Sequence, residues 1–187
     1  MNRLVQGDGG SGKTMVVAAA IVCAVRSGKQ AAMMAPTEIL AGQHCRGLSP
    51  LLEGLGISCA LLTGAMTAKA KRAVLAGLAD GSVQVAIGTH ALISAGVAYQ
   101  DLGLVVTDEQ HRFGVNQRSA LSAKGERPHL LVMSATPIPR TLALMIYGDL
   151  DVSVIDELPP GRQKIDTFAV TGAYRQRSYG FLAKEIA

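Results

Sequence analysis

The chain has 187 residues, 49% of them hydrophobic and 4% aromatic, with no tryptophan. That length allows one domain with a well-buried core and excludes two of ordinary size. Apolar content carried by Ala, Val, Leu and Ile suits buried parallel strands under helices better than an aromatic-lined barrel. The formal charge of +4 and a pI near 9.1 admit a polyanionic partner but fall short of a dense basic patch.

Cys23, Cys45 and Cys59 are odd in number and form no C-x-x-C pair, so neither a disulfide framework nor a zinc site is indicated, and reduced cytosolic thiols are expected. The longest apolar run, 15–25, is too short to span a bilayer and follows a glycine loop rather than a charged leader, so no membrane association is expected.

In chain order, a strand at 3–6 runs into a glycine-rich loop and a helix at 13–27 closed by Gly28. A strand at 31–35 precedes Pro36-Thr37, where Thr37 suits an N-cap for a helix at 37–55. Strands at 58–62 and 83–87 flank a helix at 68–79, and further strands fall at 104–107, 130–134 and 151–155, with a helix at 138–147. Short apolar strands alternating with crossover-length helices give an α/β fold, a doubly wound and mainly parallel sheet with helices on both faces. At Pro159-Pro160-Gly161-Arg162 regular structure stops. The division expected is one domain over 1–157 and, over 158–187, a linker with a strand-like stretch at 165–170 and a final helix.

The strongest motif is Gly7-Asp8-Gly9-Gly10-Ser11-Gly12-Lys13-Thr14, which satisfies G-x-x-x-x-G-K-[ST] between a strand and a helix. Its glycines let successive backbone N–H groups face phosphate oxygens, and the helix N-terminus adds a favourable field. Lys13 is placed to reach the β and γ phosphates of ATP and the Thr14 hydroxyl to ligate Mg²⁺. A glycine-rich turn that merely contains Lys-Thr is the alternative, weakened by the strand and helix on either side.

Much further along, the strand at 104–107 runs into Asp108-Glu109-Gln110-His111. Carboxylates at the carboxyl end of a strand are what the second half of a phosphate site needs: Asp108 for the Mg²⁺ water shell and Glu109 to polarise the attacking water. A solvated acidic turn is the alternative for this box taken alone. Ser134-Ala135-Thr136 closes the next strand, where its hydroxyls suit sensing of the γ phosphate. His44, His90 and His129 lack ligand-spaced companions and read as ordinary surface or core histidines.

These segments resemble motifs I, II and III of superfamily 2 helicases, in that order on alternate strands. The stretch 108–118, DEQHRFGVNQR, and the stretch 134–162, SATPIPRTLALMIYGDLDVSVIDELPPGR, are similar to the RecG branch of that superfamily. Transcription-repair coupling translocases share the ATPIPRTL portion and are the close alternative; a P-loop kinase-like transferase is a remote one, for which the sequence offers no substrate pocket or lid. The resemblance extends over nearly the whole chain. Met34-Ala35-Pro36-Thr37-Glu38-Ile39-Leu40-Ala41 looks like motif Ia, Leu62-Thr63-Gly64 like Ib and Ile87-Gly88-Thr89-His90-Ala91-Leu92 like Ic.

The resemblance implies an ATP- and Mg²⁺-dependent DNA helicase of the bacterial cytoplasm, associated with the nucleoid, that remodels branched or forked duplex DNA in repair and recombination. It implies coupling roles for Gln110, His111, Ser134, Ala135 and Thr136, and DNA contacts at Pro36, Thr37, Glu38, Thr63, Gly64, Thr89 and His90. For any one of those threonines, helix capping is an equal alternative. It further implies that an adenine-contacting segment and a DNA-reading wedge domain precede Met1. Residues 165–187 would open a second RecA-like lobe, whose arginine finger completes the site, so that the chain alone would bind nucleotide poorly and turn it over hardly at all. Two positions depart from the family pattern: Gly9 stands where valine is usual, and Gly42 where a longer residue is usual.

Overall fold

The computed structural model describes residues 1–108, 120–135, 150–157, 167, 169 and 171–186. Glu109, Gln110, His111 and Thr136, the helix expected at 138–147 and the linker at 158–162 lie outside the described residues.

Seven strands form one parallel sheet: β1 (Asn2–Gly7), β2 (Gln30–Met34), β3 (Cys59–Leu62), β4 (Val85–Gly88), β5 (Leu102–Thr107), β6 (His129–Ser134) and β7 (Asp151–Ile155), in the order β3-β4-β2-β5-β6-β1-β7. All seven expected strands are present, shifted at their ends by a residue or two. The central strands are mostly apolar because both faces are covered; every residue of β2 is buried, including Gln30 at its start.

On one face lie α1 (Lys13–Arg26) and α2 (Glu38–Glu53). On the other lie α3 (Ala68–Asp80), the 3₁₀ turn His90–Ile93 and Leu121. Alternation along the strands decides which face each residue serves: Ala31 and Met33 pack under α1 and α2, while Ala32 and Met34 pack on the α3 side. Val17, Ala18, Ile21 and Val25 give α1 a helical stripe against the sheet. Each fully buried Val, Leu or Ile contributes roughly 1.5–3 kcal/mol.

Local chemistry sets the helix ends. Thr37 and Thr67 cap α2 and α3 by accepting from Leu40 N and Ala70 N. α1 stops at Ser27, after which Gly28 turns left-handed and Lys29 N reaches back to Ala24 O. A separate helix, Arg175–Ile186, leaves Tyr179, Phe181 and Leu182 exposed. No helix among the described residues is long and apolar enough to cross a membrane.

Candidate nucleotide and polynucleotide edge

In a parallel sheet every strand delivers its next residue to the same edge. Taken in sheet order, the carboxyl ends here carry Thr63 after β3, Thr89 after β4, Pro36 and Thr37 after β2, Asp108 after β5, Ser134 and Ala135 at the end of β6, and the Gly7–Thr14 loop after β1. The strand order therefore sorts the expected residues into two halves. The segments expected to face nucleic acid follow β3, β4 and β2, while the phosphate loop, Asp108 and the Ser134-Ala135 pair follow β1, β5 and β6. β6 alone separates β1 from β5, so the loop and Asp108 leave the sheet about 10 Å apart.

The phosphate loop is built from backbone. Gly10 and Gly12 have φ of 84° and 92°, a conformation that L side chains rarely adopt, and Gly12 is the residue from which α1 starts. No side chain caps that helix, so its first N–H groups face the loop. Lys13 Nζ folds back onto the carbonyls of Gly7 at 2.6 Å and Asp8 at 2.8 Å. The Ser11 hydroxyl is buried without a hydrogen-bond partner among the described residues. Gly7 is packed so closely that a Cβ there would lie 2.6 Å from Ser11 Oγ and 3.0 Å from Ile155 Cβ, whereas a Cβ at Gly9 would meet nothing within 4 Å. The loop is thus pinned at its root and open at its crown.

The Asp108 corner is built from side chains. Asp108 N continues the sheet ladder by donating to Met34 O at 3.0 Å. Its carboxylate Oδ2 lies 2.6 Å from His44 Nε2 on α2, and both side chains are nearly buried, 13% and 14% exposed. A carboxylate only accepts, so Nε2 carries the proton of this bond. Ser134, paired in register with Gln6 of β1, is buried, and Ala135 lines a shallow cavity of about 170 Å³ with Gly7, Asp8 and Glu157.

In the other half the hydroxyls turn inward. Thr63 and Thr89 are 5% and 2% exposed, and the Thr89 Oγ1 has no partner among the described residues. Thr37 is exposed, but its hydroxyl serves the N-cap of α2. Glu38, in the first turn of α2, accepts from Ala65 N at 3.1 Å and so fastens the turn containing Gly64. Exposed in this half are Thr37, Glu38, Ile39, Gly64 and His90.

The sequence reading missed the place of His44. The structure puts this histidine on Asp108, and a signal for it existed: Ala41, Leu48 and Leu52 are the buried face of α2, and His44 falls three residues after the first and four before the second. A polar residue on such a stripe needs a partner inside the protein. The adjacent Cys45 is one of three free cysteines. The Cys59 thiol hydrogen-bonds to it and draws Cys45 down to about 6, while that bond and burial push Cys59 up.

Residues 1–145 match the family described as DEAD/DEAH box helicase. The ATP-dependent DNA helicase RecG of Synechocystis sp. is 54% identical over 187 residues, covering 100% of this chain and 22% of that protein. RecG of Bacillus subtilis is 52% identical over 186 residues, covering 100% and 27%. The chain spans about a quarter of the length of the curated relatives it matches. The solved structure of RecG bound to a three-way DNA junction is 48% identical and superposes with a TM-score of 0.83, covering 100% of this chain and 25% of that one. A DEAD box protein from Methanococcus jannaschii shares the fold, at 19% identity and a TM-score of 0.65 over 83% of this chain and 46% of that one.

Proposed function

The chain belongs to the DEAD/DEAH box helicase family, and from that premise we propose that it is the first RecA-like motor lobe of a RecG-type helicase, coupling ATP hydrolysis to remodelling of branched or forked duplex DNA. The observation that carries this reading is the sorted edge: phosphate loop and Asp108 flank β6, and the segments resembling motifs Ia, Ib and Ic fill the remaining half. The identity to RecG over the whole chain supports the choice of subfamily.

The loop fits a nucleotide phosphate. Its crown is open at Gly9, its helix N-terminus is uncapped and the Ser11 hydroxyl is buried without a partner. In this reading Gly7, Asp8, Gly9, Gly10, Ser11 and Gly12 wrap the phosphates, and Lys13 exchanges two backbone carbonyls for phosphate oxygens. Thr14 and Asp108 hold the magnesium shell and Glu109 orients the attacking water. Bound ATP with Mg²⁺ supplies the phosphoanhydride to be cleaved. Gln110, His111, Ser134, Ala135 and Thr136 relay the state of that site to the DNA-facing half. The residues there, Pro36, Thr37, Glu38, Thr63, Gly64, Thr89 and His90, act chiefly through backbone and helix-end contacts to phosphates, which position a duplex without reading its sequence.

The domain division follows the same reading: 1–157 is the lobe, and 158–187 leads into a second RecA-like lobe that, with a wedge domain, completes the motor. Its setting is the bacterial cytoplasm, at the nucleoid. ATP hydrolysis by a RecG-type protein carrying this lobe, measured with and without three-way-junction DNA, tests the reading. Junction DNA is expected to stimulate hydrolysis, and Lys13→Ala and Glu109→Gln each to reduce the stimulated rate about 100-fold or more. Hydrolysis indifferent to DNA, or to both substitutions, overturns it.

A further inference from the structure

α2 begins in one half of the carboxyl edge and reaches the other. Its first turn, Thr37 and Glu38, follows β2; its second turn delivers His44 to Asp108 after β5. The helix is fixed between them, because Ala41, Leu48 and Leu52 are 0%, 1% and 0% exposed against the sheet. His44 occupies a core-facing position on that stripe, where an apolar residue needs no partner and an unpaired imidazole is destabilising. It is satisfied by a single 2.6 Å bond to Asp108 Oδ2, between two side chains that water scarcely reaches.

A carboxylate at a strand end has rotational freedom about its side-chain bonds, and a bond to one oxygen removes it. With Oδ2 held from the α2 side, Oδ1 is the oxygen that a magnesium shell would take, and outer partners of this kind orient metal-binding carboxylates. We infer that His44 is a positioning residue for magnesium-nucleotide binding, acting by fixing the Asp108 carboxylate from α2. The inference rests on the nucleotide reading of the phosphate loop.

ADP titrated onto the 187-residue chain, followed through its stabilisation against heat, once with Mg²⁺ and once with EDTA, tests it. The wild-type chain binds ADP more tightly with Mg²⁺ than with EDTA. His44→Ala keeps its affinity in EDTA within about twofold and loses roughly tenfold of its affinity in Mg²⁺, the lower end of the effect of removing an outer partner. His44→Gln, whose amide nitrogen replaces Nε2 as the donor, restores the magnesium-dependent gain to within about threefold. A merely structural histidine would instead weaken binding equally in both media, and that result overturns the inference. So does a magnesium-dependent gain in His44→Ala that is unchanged, or larger, the latter meaning that histidine and metal compete for the carboxylate. Absence of ADP binding by the wild-type chain in either medium overturns the nucleotide reading itself and this inference with it.

Discussion

The two halves of the carboxyl edge solve the same problem, holding polar groups at the end of a buried sheet, in opposite ways. After β1, the polar groups belong to the backbone of a glycine loop, pinned at Gly7 and otherwise open. After β3 and β4, Thr63 and Thr89 are buried, and the exposed residues are Gly64 and His90, beside Thr37, Glu38 and Ile39 at the start of α2. In the function proposed, the first half wraps a compact anion and the second holds an extended one along its loop ends. α2 belongs to both, so a change that loosens it should spread, and a change confined to one half should not.

The largest effect is expected where the halves share support. Leu52→Ala removes a side chain of zero exposure beneath α2 and should lower stability by about 2–5 kcal/mol in denaturant unfolding. It should also erode the magnesium-dependent part of ADP binding more than the part seen in EDTA, since His44 rides on the same helix; equal erosion of both would remove α2 as the shared element.

A smaller effect, of opposite sign, is expected in the half proposed to face DNA. Thr89→Val exchanges a buried, unpartnered hydroxyl for a methyl and should raise stability by about 1 kcal/mol. Junction-stimulated hydrolysis in a RecG-type protein should survive it; loss of stimulation would show that this hydroxyl turns outward to bind DNA, and the contrast between the halves would fail. The smallest effect belongs to the phosphate loop. Gly9→Val meets no atom within 4 Å and removes chain entropy, so ADP affinity should rise by a few tenths to about 1 kcal/mol. Equal affinities in a titration would mean that the crown of the loop is already ordered by its neighbours.

What was legible in the sequence tracks how local its cause is. The strands and helices follow from apolar runs and their spacing, and the caps from Thr37 and Gly28, each a matter of a few neighbouring residues. The phosphate loop was legible for the same reason, since its glycines and Lys13 lie within one short stretch. The His44–Asp108 bond was not, because it joins residues 64 apart and depends on β2 and β5 being neighbours in the sheet. The inward turn of Thr63 and Thr89 was equally hidden: a threonine after a strand reads the same whether its hydroxyl meets solvent or packing.

The strand order also has a meaning in time. β1 pairs in register with β6, from Asn2 against Leu130 to Gln6 against Ser134, and with β7, where Gly7 meets Ile155. Within this stretch β1 is therefore made before both of its sheet neighbours, which follow it by more than a hundred residues. At synthesis rates of about 5–20 residues per second that wait is on the order of ten seconds, during which Leu4 and Val5, destined for the interior, have no sheet to enter. The phosphate loop is accordingly translated well before the sheet around it can close, and a nascent chain halted before β6 would carry the full Gly7–Thr14 motif without the walls that shape it.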